Sequence, residues 1–452
     1  MSAKNARTVD MTGDNLLKNI WMFSVPLILT NFLQMMFNAA DTVVVGRFAG
    51  QQALAAVGAT GSLCFLLISL FNGLSVGSNV IIARYIGANR SESISKAVHT
   101  SVAMSIASGL FLSVLGFFIS KPMLRLMSTP ADIIDMSTLY MRLYFVGTFF
   151  GIVYNFASSV LRAKGDTKRP LYFLCISGIT NVVLNLVFVA FFKMGVAGVA
   201  IATVISQAVS AVLVIITLLK ETDATRLEPS KLSMDFDMAA NIIKIGVPAG
   251  IQGMVFSLSN VVIQSSINSF DSSTIVAANS AAANLEGFVY IGIMAFTQAC
   301  ITFTSQNIGA GKYDRVKQIM KSTMTMAVVS AVVLGFAVWI FGDFFLGFYT
   351  SEAAVVHTGK IRLLWVAFPM FLNGILDILV ASMRGMGIST LPTITMIVGI
   401  CGVRLGWIWL VFPALGTLQA VYMCFPVSWA ITSIIQMIFW FKGHKNLLAH
   451  AF

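Results

Sequence analysis

Charged residues are scarce in this chain. Only 10% of its 452 residues are Asp, Glu, Lys or Arg, whereas soluble domains contain about 25%. Hydrophobic residues make up 57% of the chain, and the mean hydropathy is +0.86. This composition excludes an ordinary soluble protein. It predicts an all-α polytopic membrane protein, because a helix satisfies its own backbone hydrogen bonds in lipid.

Residues typical of catalytic and metal sites are also few. The chain has four His and five Cys, and the Cys lie in apolar segments without metal-type spacing. Walker A and HExxH motifs are absent. We therefore expect no enzymatic activity and no cofactor. "GLSVG" (73–77) matches the GxSxG pattern of hydrolases, but we favour helix packing for it. An intramembrane hydrolase built on Ser75 stays an alternative.

Long apolar runs are what the chain has instead. About twelve of them reach the roughly 20 residues that a membrane-spanning helix needs. The net charge of +11 is interpreted as the basic excess of cytoplasmic loops rather than as a nucleic-acid surface. This predicts a multi-pass membrane protein with both termini in the cytoplasm. The predicted helices are 18–46, 52–84, 93–120, 132–162, 169–192, 195–220, 238–268, 274–306, 315–342, 352–384, 391–412 and 418–441.

The two halves of the chain repeat each other. "IGANRSE" (86–92) returns as "IGAGKYD" (308–314), and "LRAKGDTKRP" (161–170) returns as "MRGMGISTLP" (383–392). Both pairs are separated by the same distance along the chain, which we call the repeat offset, and a shared offset indicates an internal duplication. Because each half holds six spans, the two halves are parallel repeats. The predicted organisation is an N-terminal lobe (1–220), a cytoplasmic linker (221–237) and a C-terminal lobe (238–452).

A proline lies at the same place in the first helix of each repeat. Pro26 and Pro248 are related by the repeat offset. Proline removes a backbone donor and bends a helix. Pro26 is therefore a candidate hinge, and a fixed structural bend is the alternative.

Acidic residues inside the spans are the clearest functional candidates, because a charge at the bilayer centre costs about 3 kcal/mol. Asp41 ends a polar stripe on helix 1 that contains Gln34 and Asn38. Helices 5 and 6 add further polar side chains, which are Asn181, Asn185 and Thr203. These groups could converge on Asp41, which would then hold a proton or, with oxygen ligands, a sodium ion. A polar network that only joins helices is the alternative.

The second half differs chemically from the first. Ile263 stands at the position that matches Asp41, and Asp377 matches Asn155. The candidate cavity residues of this half are Asn260, Gln264, Glu286 and Asp377. Asn155, the counterpart of Asp377 in the first half, is a further candidate. Glu286 and Asp377 could bind a cationic substrate or relay a proton. They could instead pair with Arg362, Arg384 or another buried base.

Several motifs together resemble those of the multidrug and toxic compound extrusion (MATE) transporters. They are "DTVVVGRF" at the end of helix 1, "IGANR" and "QNIGAGKYDRV" after helices 2 and 8, "LRAKGDTKRP" after helix 4, and "GVAGVAIATVISQ" in helix 6. The resemblance covers nearly the whole chain. It implies two lobes around a V-shaped cavity, and an antiporter of the inner (plasma) membrane that exports organic cations or related toxic compounds against Na⁺ or H⁺.

The resemblance also implies which residues couple transport to the ion. Asp41, Asn181 and Thr203 match coupling residues of the most similar branch, and they would be the ligands if the ion were Na⁺. Pro26 matches the proline at which helix 1 of that branch bends. Asn185 departs from the branch, which has an acid there, so the coupling charge falls on Asp41 alone.

The expected partners are an amphipathic or cationic small molecule and the lipid bilayer, with no nucleic acid and with a monomeric protein. A flippase for lipid-linked saccharides of the same superfamily is the nearest alternative, although such substrates call for cationic cavity residues. A channel is a further alternative, and it would not depend on an opposing ion gradient.

Overall fold

The protein was analysed as a computed structural model, which describes residues 8–127, 129–350 and 352–449. Twelve helices in these ranges are long and apolar enough to cross a membrane. This confirms the predicted fold class. In chain order, helices 1 to 12 are Leu16–Ala49, Gln51–Gly87, Ser91–Leu126, Ile134–Ala163, Lys168–Phe191, Gly195–Leu219, Phe236–Asn268, Ser273–Gly309, Arg315–Ile340, Ala353–Gly385, Thr390–Leu415 and Leu418–Ala449.

The duplication is visible in the geometry of the loops. Gly165 and Gly387, which are related by the repeat offset, have φ angles of +95° and +91°. Asn89 and Gly311, related in the same way, have φ angles of 53° and 72°. Glycine and asparagine adopt this left-handed conformation most readily. The matched loop motifs therefore encode matched turns.

Four of the spanning helices contain a π-helical segment. These segments are Val45–Ala49, Leu186–Phe191, Leu363–Ala367 and Ile397–Gly402. The first begins one turn after Asp41, and the second directly follows Asn185. π-Helical turns often occur at functional sites.

Close packing divides the chain into two compact units. Unit 1 contains the described residues up to Asp10 together with Leu29–Met254, and unit 2 contains Met11–Ile28 together with the described residues from Val255 onward. Helices 1 and 7 each contribute one segment to each unit. The units are defined by packing rather than by the repeat, so the lobe boundaries predicted from the repeat stay a prediction.

Helix 4 is the central helix of unit 1, where it packs against helices 2, 3 and 6. Helix 10 has the same place in unit 2, against helices 8, 9 and 12. Large apolar side chains such as Phe118 and Phe191 are exposed on the outer surface, as expected for helices that face lipid.

Glycines allow helices 2 and 7 to approach closely within unit 1. A Cβ atom on Gly73 would lie 2.2 Å from the backbone nitrogen of Gly250, and one on Gly77 would lie 2.3 Å from the carbonyl oxygen of Ile242. Ser75, between the two glycines, donates its hydroxyl to the carbonyl oxygen of Asn72 at 2.7 Å. "GLSVG" is therefore a helix-packing motif, as favoured from the sequence.

Candidate functional site

A polar cavity of about 570 Å³ lies inside unit 1. Five of the residues selected from the sequence line it: Gln34, Asn38, Asp41, Asn155 and Thr203. They come from helices 1, 4 and 6, and helix 2 supplies much of the remaining wall. The polar stripe of helix 1 therefore faces an internal space rather than lipid.

The Asp41 carboxylate is bound by an amide from helix 5. Asn185 Nδ2 donates to Asp41 Oδ1 at 2.5 Å and also to Asn181 Oδ1 at 3.1 Å. Asn185 is fully buried, and Asn181 is nearly so. The i, i+4 pair on helix 5 thus lies beside the acid of helix 1, which is the arrangement expected from the spacing of these residues.

Helix 6 completes this wall of the cavity. The Thr203 hydroxyl donates to the carbonyl oxygen of Val199 at 3.0 Å, within its own helix. Asn181 Nδ2 reaches Ser206 Oγ at 3.5 Å. Thr203 and Asp41 therefore line the same cavity, but the Thr203 hydroxyl donates within helix 6 and not to Asp41.

Two buried amide oxygens near this site have no hydrogen-bond partner among the described residues. They are Asn185 Oδ1 and Gln207 Oε1, and Gln207 also lines the cavity. An unpartnered buried carbonyl is costly. Each oxygen is therefore a candidate acceptor for a group that enters the cavity.

The donor set around Asp41 determines which ions it can hold. One carboxylate is surrounded by amide and hydroxyl groups, and no group of three or more His, Cys, Asp or Glu suited to a metal ion occurs in the described ranges. Such a site carries at most one formal negative charge. It fits a proton or a monovalent cation better than a divalent metal.

Some lining residues were not predicted from the sequence. Asn72 accepts a hydrogen bond from Asn155 Nδ2 at 2.9 Å, and Tyr140 and Tyr144 also face the cavity. The two tyrosines stack on each other with ring centroids 5.9 Å apart. The i, i+4 spacing of these tyrosines indicates that they share one face of helix 4. The chain contains 35 Phe and 9 Tyr, so aromatic pairs at this spacing do not by themselves indicate a cavity.

One candidate residue of unit 2, Gln264, belongs to a hydrogen-bonded chain. Gln264 Nε2 donates to Asn268 Oδ1 at 2.9 Å, and Asn279 Nδ2 donates to Gln264 Oε1 at 2.9 Å. Asn260, one turn before Gln264, is exposed. Helix 7 therefore connects to helix 8 through Gln264 and Asn279.

Glu286 and Asp377 have different partners. Glu286 binds Arg362 through both carboxylate oxygens, at 2.6 and 2.7 Å. This is one of the ion pairs considered from the sequence. Asp377 accepts from the Tyr290 hydroxyl at 3.0 Å and from Asn373 Nδ2 at 3.3 Å. Neither acid lines the cavity of unit 1.

Pro26 lies within helix 1, close to the point at which that helix passes from unit 2 to unit 1 at Leu29. Pro248 lies within helix 7, before the corresponding point at Val255. A hinge at Pro26 stays a prediction.

Comparison with known proteins gives a family match over most of the chain. The MatE family model matches residues 26–187 and again residues 248–410, and the two matches begin at Pro26 and Pro248, which reproduces the repeat offset. The probable multidrug resistance protein YpnP of Bacillus subtilis is 30% identical over 364 residues, which cover 80% of this chain and 81% of YpnP.

More distant matches cover still more of the chain. The multidrug export protein MepA of Staphylococcus aureus (strain RF122) is 23% identical over 92% of this chain and 90% of MepA. Among solved structures, an outward-facing multidrug resistance MATE family transporter superposes with a TM-score of 0.92 at 20% identity. That match covers 99% of this chain and 100% of the other.

Proposed function

The chain belongs to the MATE family of multidrug efflux transporters, and from this premise we propose that it is a secondary active antiporter. It exports organic cations or other amphipathic toxic compounds in exchange for inward H⁺ or Na⁺. The observation that carries the proposal is Asp41, a carboxylate in the polar cavity of unit 1 with a buried amide donor at 2.5 Å.

The contacts of Asp41 favour a proton over a sodium ion. Asn185 turns its N–H group, not its oxygen, toward the carboxylate, and an N–H group cannot ligate a cation. Sodium would need several oxygens around Asp41, whereas a proton needs one carboxylate oxygen. With Asn185 neutral, one proton removes the only formal charge of the site. Protonation of Asp41 is therefore the proposed coupling event, and Na⁺ coupling is the alternative.

Coupling follows from unequal binding to two conformations. Neutralising Asp41 removes the main cost of enclosing the site, so it changes the relative energies of the conformations that helix 1 can adopt. Substrate and ion need not touch, provided that each prefers a different conformation. An inward monovalent ion contributes about 2.3 kcal/mol per 100 mV of membrane potential.

The substrate class and the location are further parts of the proposal. Relatives named as multidrug export or multidrug resistance proteins support amphipathic substrates. The chain is a multi-pass membrane protein. The positions of its basic residues support a cytoplasmic location for both termini. The bacterial relatives support the plasma membrane as its location, and a monomer is part of the proposal.

Efflux from vesicles tests the antiport. Purified protein is reconstituted, and a fluorescent organic cation is followed while proton and sodium gradients are imposed separately. We expect uphill transport driven by the proton gradient in the parent chain and none in Asp41→Asn. Thr180→Ala is the matched control, because Thr180 bonds only within helix 5, to the carbonyl oxygen of Ile176 at 2.8 Å. Full-rate uphill transport by Asp41→Asn contradicts the proposal, and transport driven only by sodium contradicts the proton assignment.

A lipid-linked saccharide flippase is the second candidate. It is favoured by Arg404, which is buried in unit 2 and contacts the Ser428 hydroxyl and the Phe425 ring. A cation of this kind suits a pyrophosphate. Gradient-independent translocation of a pyrophosphate-linked lipid, without drug efflux, would select the flippase.

A further inference from the structure

The duplication places a second set of polar side chains where unit 1 has its cavity. Three residues of helix 2 that line the cavity are Val57, Cys64 and Ile68. Their counterparts at the repeat offset, on the same face of helix 8, are Asn279, Glu286 and Tyr290. Helices 2 and 8 are both 37 residues long, and their first residues are themselves related by the repeat offset, so the correspondence is direct. Unit 2 therefore has an acid on the face that forms the cavity wall in unit 1.

In unit 2 the guanidinium group of Arg362 binds this acid, Glu286. Arg362 Nε and Nη2 donate to Glu286 Oε1 and Oε2 at 2.6 and 2.7 Å, and Arg362 Nη1 donates to Asn279 Oδ1. The guanidinium carbon lies 5.4 Å from the ring centroid of Tyr422 and 5.5 Å from that of Phe425. The side chains of Arg362 and Glu286 are both only 9% exposed.

These contacts are those of a receptor for an organic cation. A carboxylate binds the guanidinium in bidentate fashion, an amide oxygen accepts a third N–H, and aromatic faces lie against it. Small-molecule sites combine an apolar wall with a few such polar groups. Here the bound cation is tethered to helix 10.

Stability alone does not account for this arrangement. A buried ion pair often contributes no more to stability than well-packed apolar side chains of the same volume, and in unit 1 the equivalent position is occupied by Cys64 rather than by an acid. Arg404 lies 4.3 Å from the Phe425 centroid, on the ring that also contacts Arg362. Two guanidinium groups and one carboxylate give this cluster a net positive charge, which disfavours a further cation.

We propose that Arg362 is a tethered cation that occupies a second organic-cation site in unit 2, formed by Glu286, Asn279, Tyr422 and Phe425. In the native protein the guanidinium group of Arg362 occupies this site. A variant that lacks this group binds a free alkylguanidinium ion there. One consequence rests on the proposed antiport function: the exported cation is recognised in unit 1 because the site in unit 2 is already occupied.

Chemical rescue tests the site without relying on transport. In Arg362→Ala the missing atoms correspond to N-ethylguanidinium, and N-ethylurea is a neutral molecule of the same shape. Thermal melting of purified protein in detergent is measured with millimolar amounts of each compound. Loss of one partner of a buried pair is expected to lower the melting temperature by about 6–20 °C. N-Ethylguanidinium restores at least half of that loss, and N-ethylurea does not.

Two comparisons make the result specific. Wild-type protein, whose site in unit 2 is filled, is expected to gain less stability from N-ethylguanidinium than Arg362→Ala gains. The double variant Arg362→Ala, Glu286→Gln, which lacks the carboxylate, is expected to gain no more than wild type. If Arg362→Ala folds poorly, it is expressed and solubilised with and without N-ethylguanidinium, and recovery only with the cation supports the site.

Each contrary result overturns the proposal. These results are no rescue of Arg362→Ala, equal rescue by N-ethylurea, rescue that persists in the double variant, and failure to recover the protein under either condition. None of them bears on ion-driven efflux. Conversely, rescue in a protein that shows no gradient-driven efflux keeps the site and rejects the antiport.

Discussion

The close contact between helices 2 and 7 predicts that alanine substitution changes the stability in opposite directions at two glycines of helix 2. A Cβ on Gly73 would lie 2.2 Å from the Gly250 nitrogen, 2.5 Å from the Gly246 oxygen and 2.6 Å from the Gly250 Cα. All three atoms belong to backbone, so no side chain can rotate away. A Cβ on Gly58, in the same helix, has no described heavy atom within 4 Å.

The expected magnitudes follow from these distances. Gly73→Ala requires the two helices to separate by about 1 Å to restore ordinary contact, and overpacking of this kind costs about 1–3 kcal/mol. Gly58→Ala only restricts the unfolded chain, and alanine is preferred to glycine in a helix by about 0.5–1 kcal/mol. We therefore expect Gly73→Ala to be less stable than wild type, and Gly58→Ala to be equal or more stable.

Thermal melting in detergent measures the difference. A free-energy change of about 1 kcal/mol corresponds to about 2–4 °C for a unit of this size, so Gly73→Ala is expected to melt about 2–12 °C lower. Gly250→Ala provides a second test from the other side, because its Cβ would lie 2.5 Å from the Leu70 Cα. Equal melting temperatures for Gly73→Ala and Gly58→Ala would refute the helix-packing interpretation of "GLSVG".

Two further predictions concern Asn185 and the linker. Asn185→Ala removes the donor at 2.5 Å from Asp41. Because hydrogen bonds to charged groups contribute about 1.5–3 kcal/mol, we expect gradient-driven efflux to slow by about tenfold or more, while an unchanged rate would exclude a coupling role for Asn185. In the linker, two opposing effects act on the pKa of Asp223. Burial raises this pKa, but the hydrogen bonds from Lys164 and Thr225 together lower it by more, so it lies below its ordinary value of 3.8. A lowered pKa stabilises the folded state above the unfolded value, and this contribution is lost as the pH falls through the folded value. Asp223→Asn should therefore melt below wild type at neutral pH, and the gap should close below about pH 4. A difference in melting temperature that does not change with pH would contradict the lowered pKa of Asp223.

The length of the apolar runs was sufficient to predict the spanning helices, and helical periodicity was sufficient to predict which side of helix 1 lines the cavity. The steps that link Gln34, Asn38 and Asp41 are properties of one helix, and so is the i, i+4 pair Asn181 and Asn185. Helix geometry fixes such relations without any knowledge of tertiary packing. The contact between Asn185 and Asp41 then followed from the cost of burying polar groups without partners.

Relations between distant helices were less predictable. Several arginines were conceivable partners for Glu286, since hydropathy carries no information about how an apolar helix is rotated about its axis. The choice of Arg362 depends on the packing of helix 10 against helix 8. Likewise, no residue of Leu16–Ala49 signals that its first part packs in unit 2, because that packing uses apolar contacts of a kind found on every span.

The two repeats use one scaffold for different chemistry, and single positions account for the difference. Asp41 in unit 1 is replaced by Ile263 in unit 2, and Cys64 is replaced by Glu286. The acid has thus moved from the first helix of the repeat to the second. In unit 1 the acid lines the cavity and has a neutral amide as its partner. Under the proposed antiport mechanism, an incoming ion neutralises this charge. In unit 2 the acid on helix 8 is paired with a fixed guanidinium, so its charge is already balanced. Glu286 therefore adds no second ion-dependent state to the proposed mechanism, because a ligand shifts a conformational equilibrium only where it binds two states unequally.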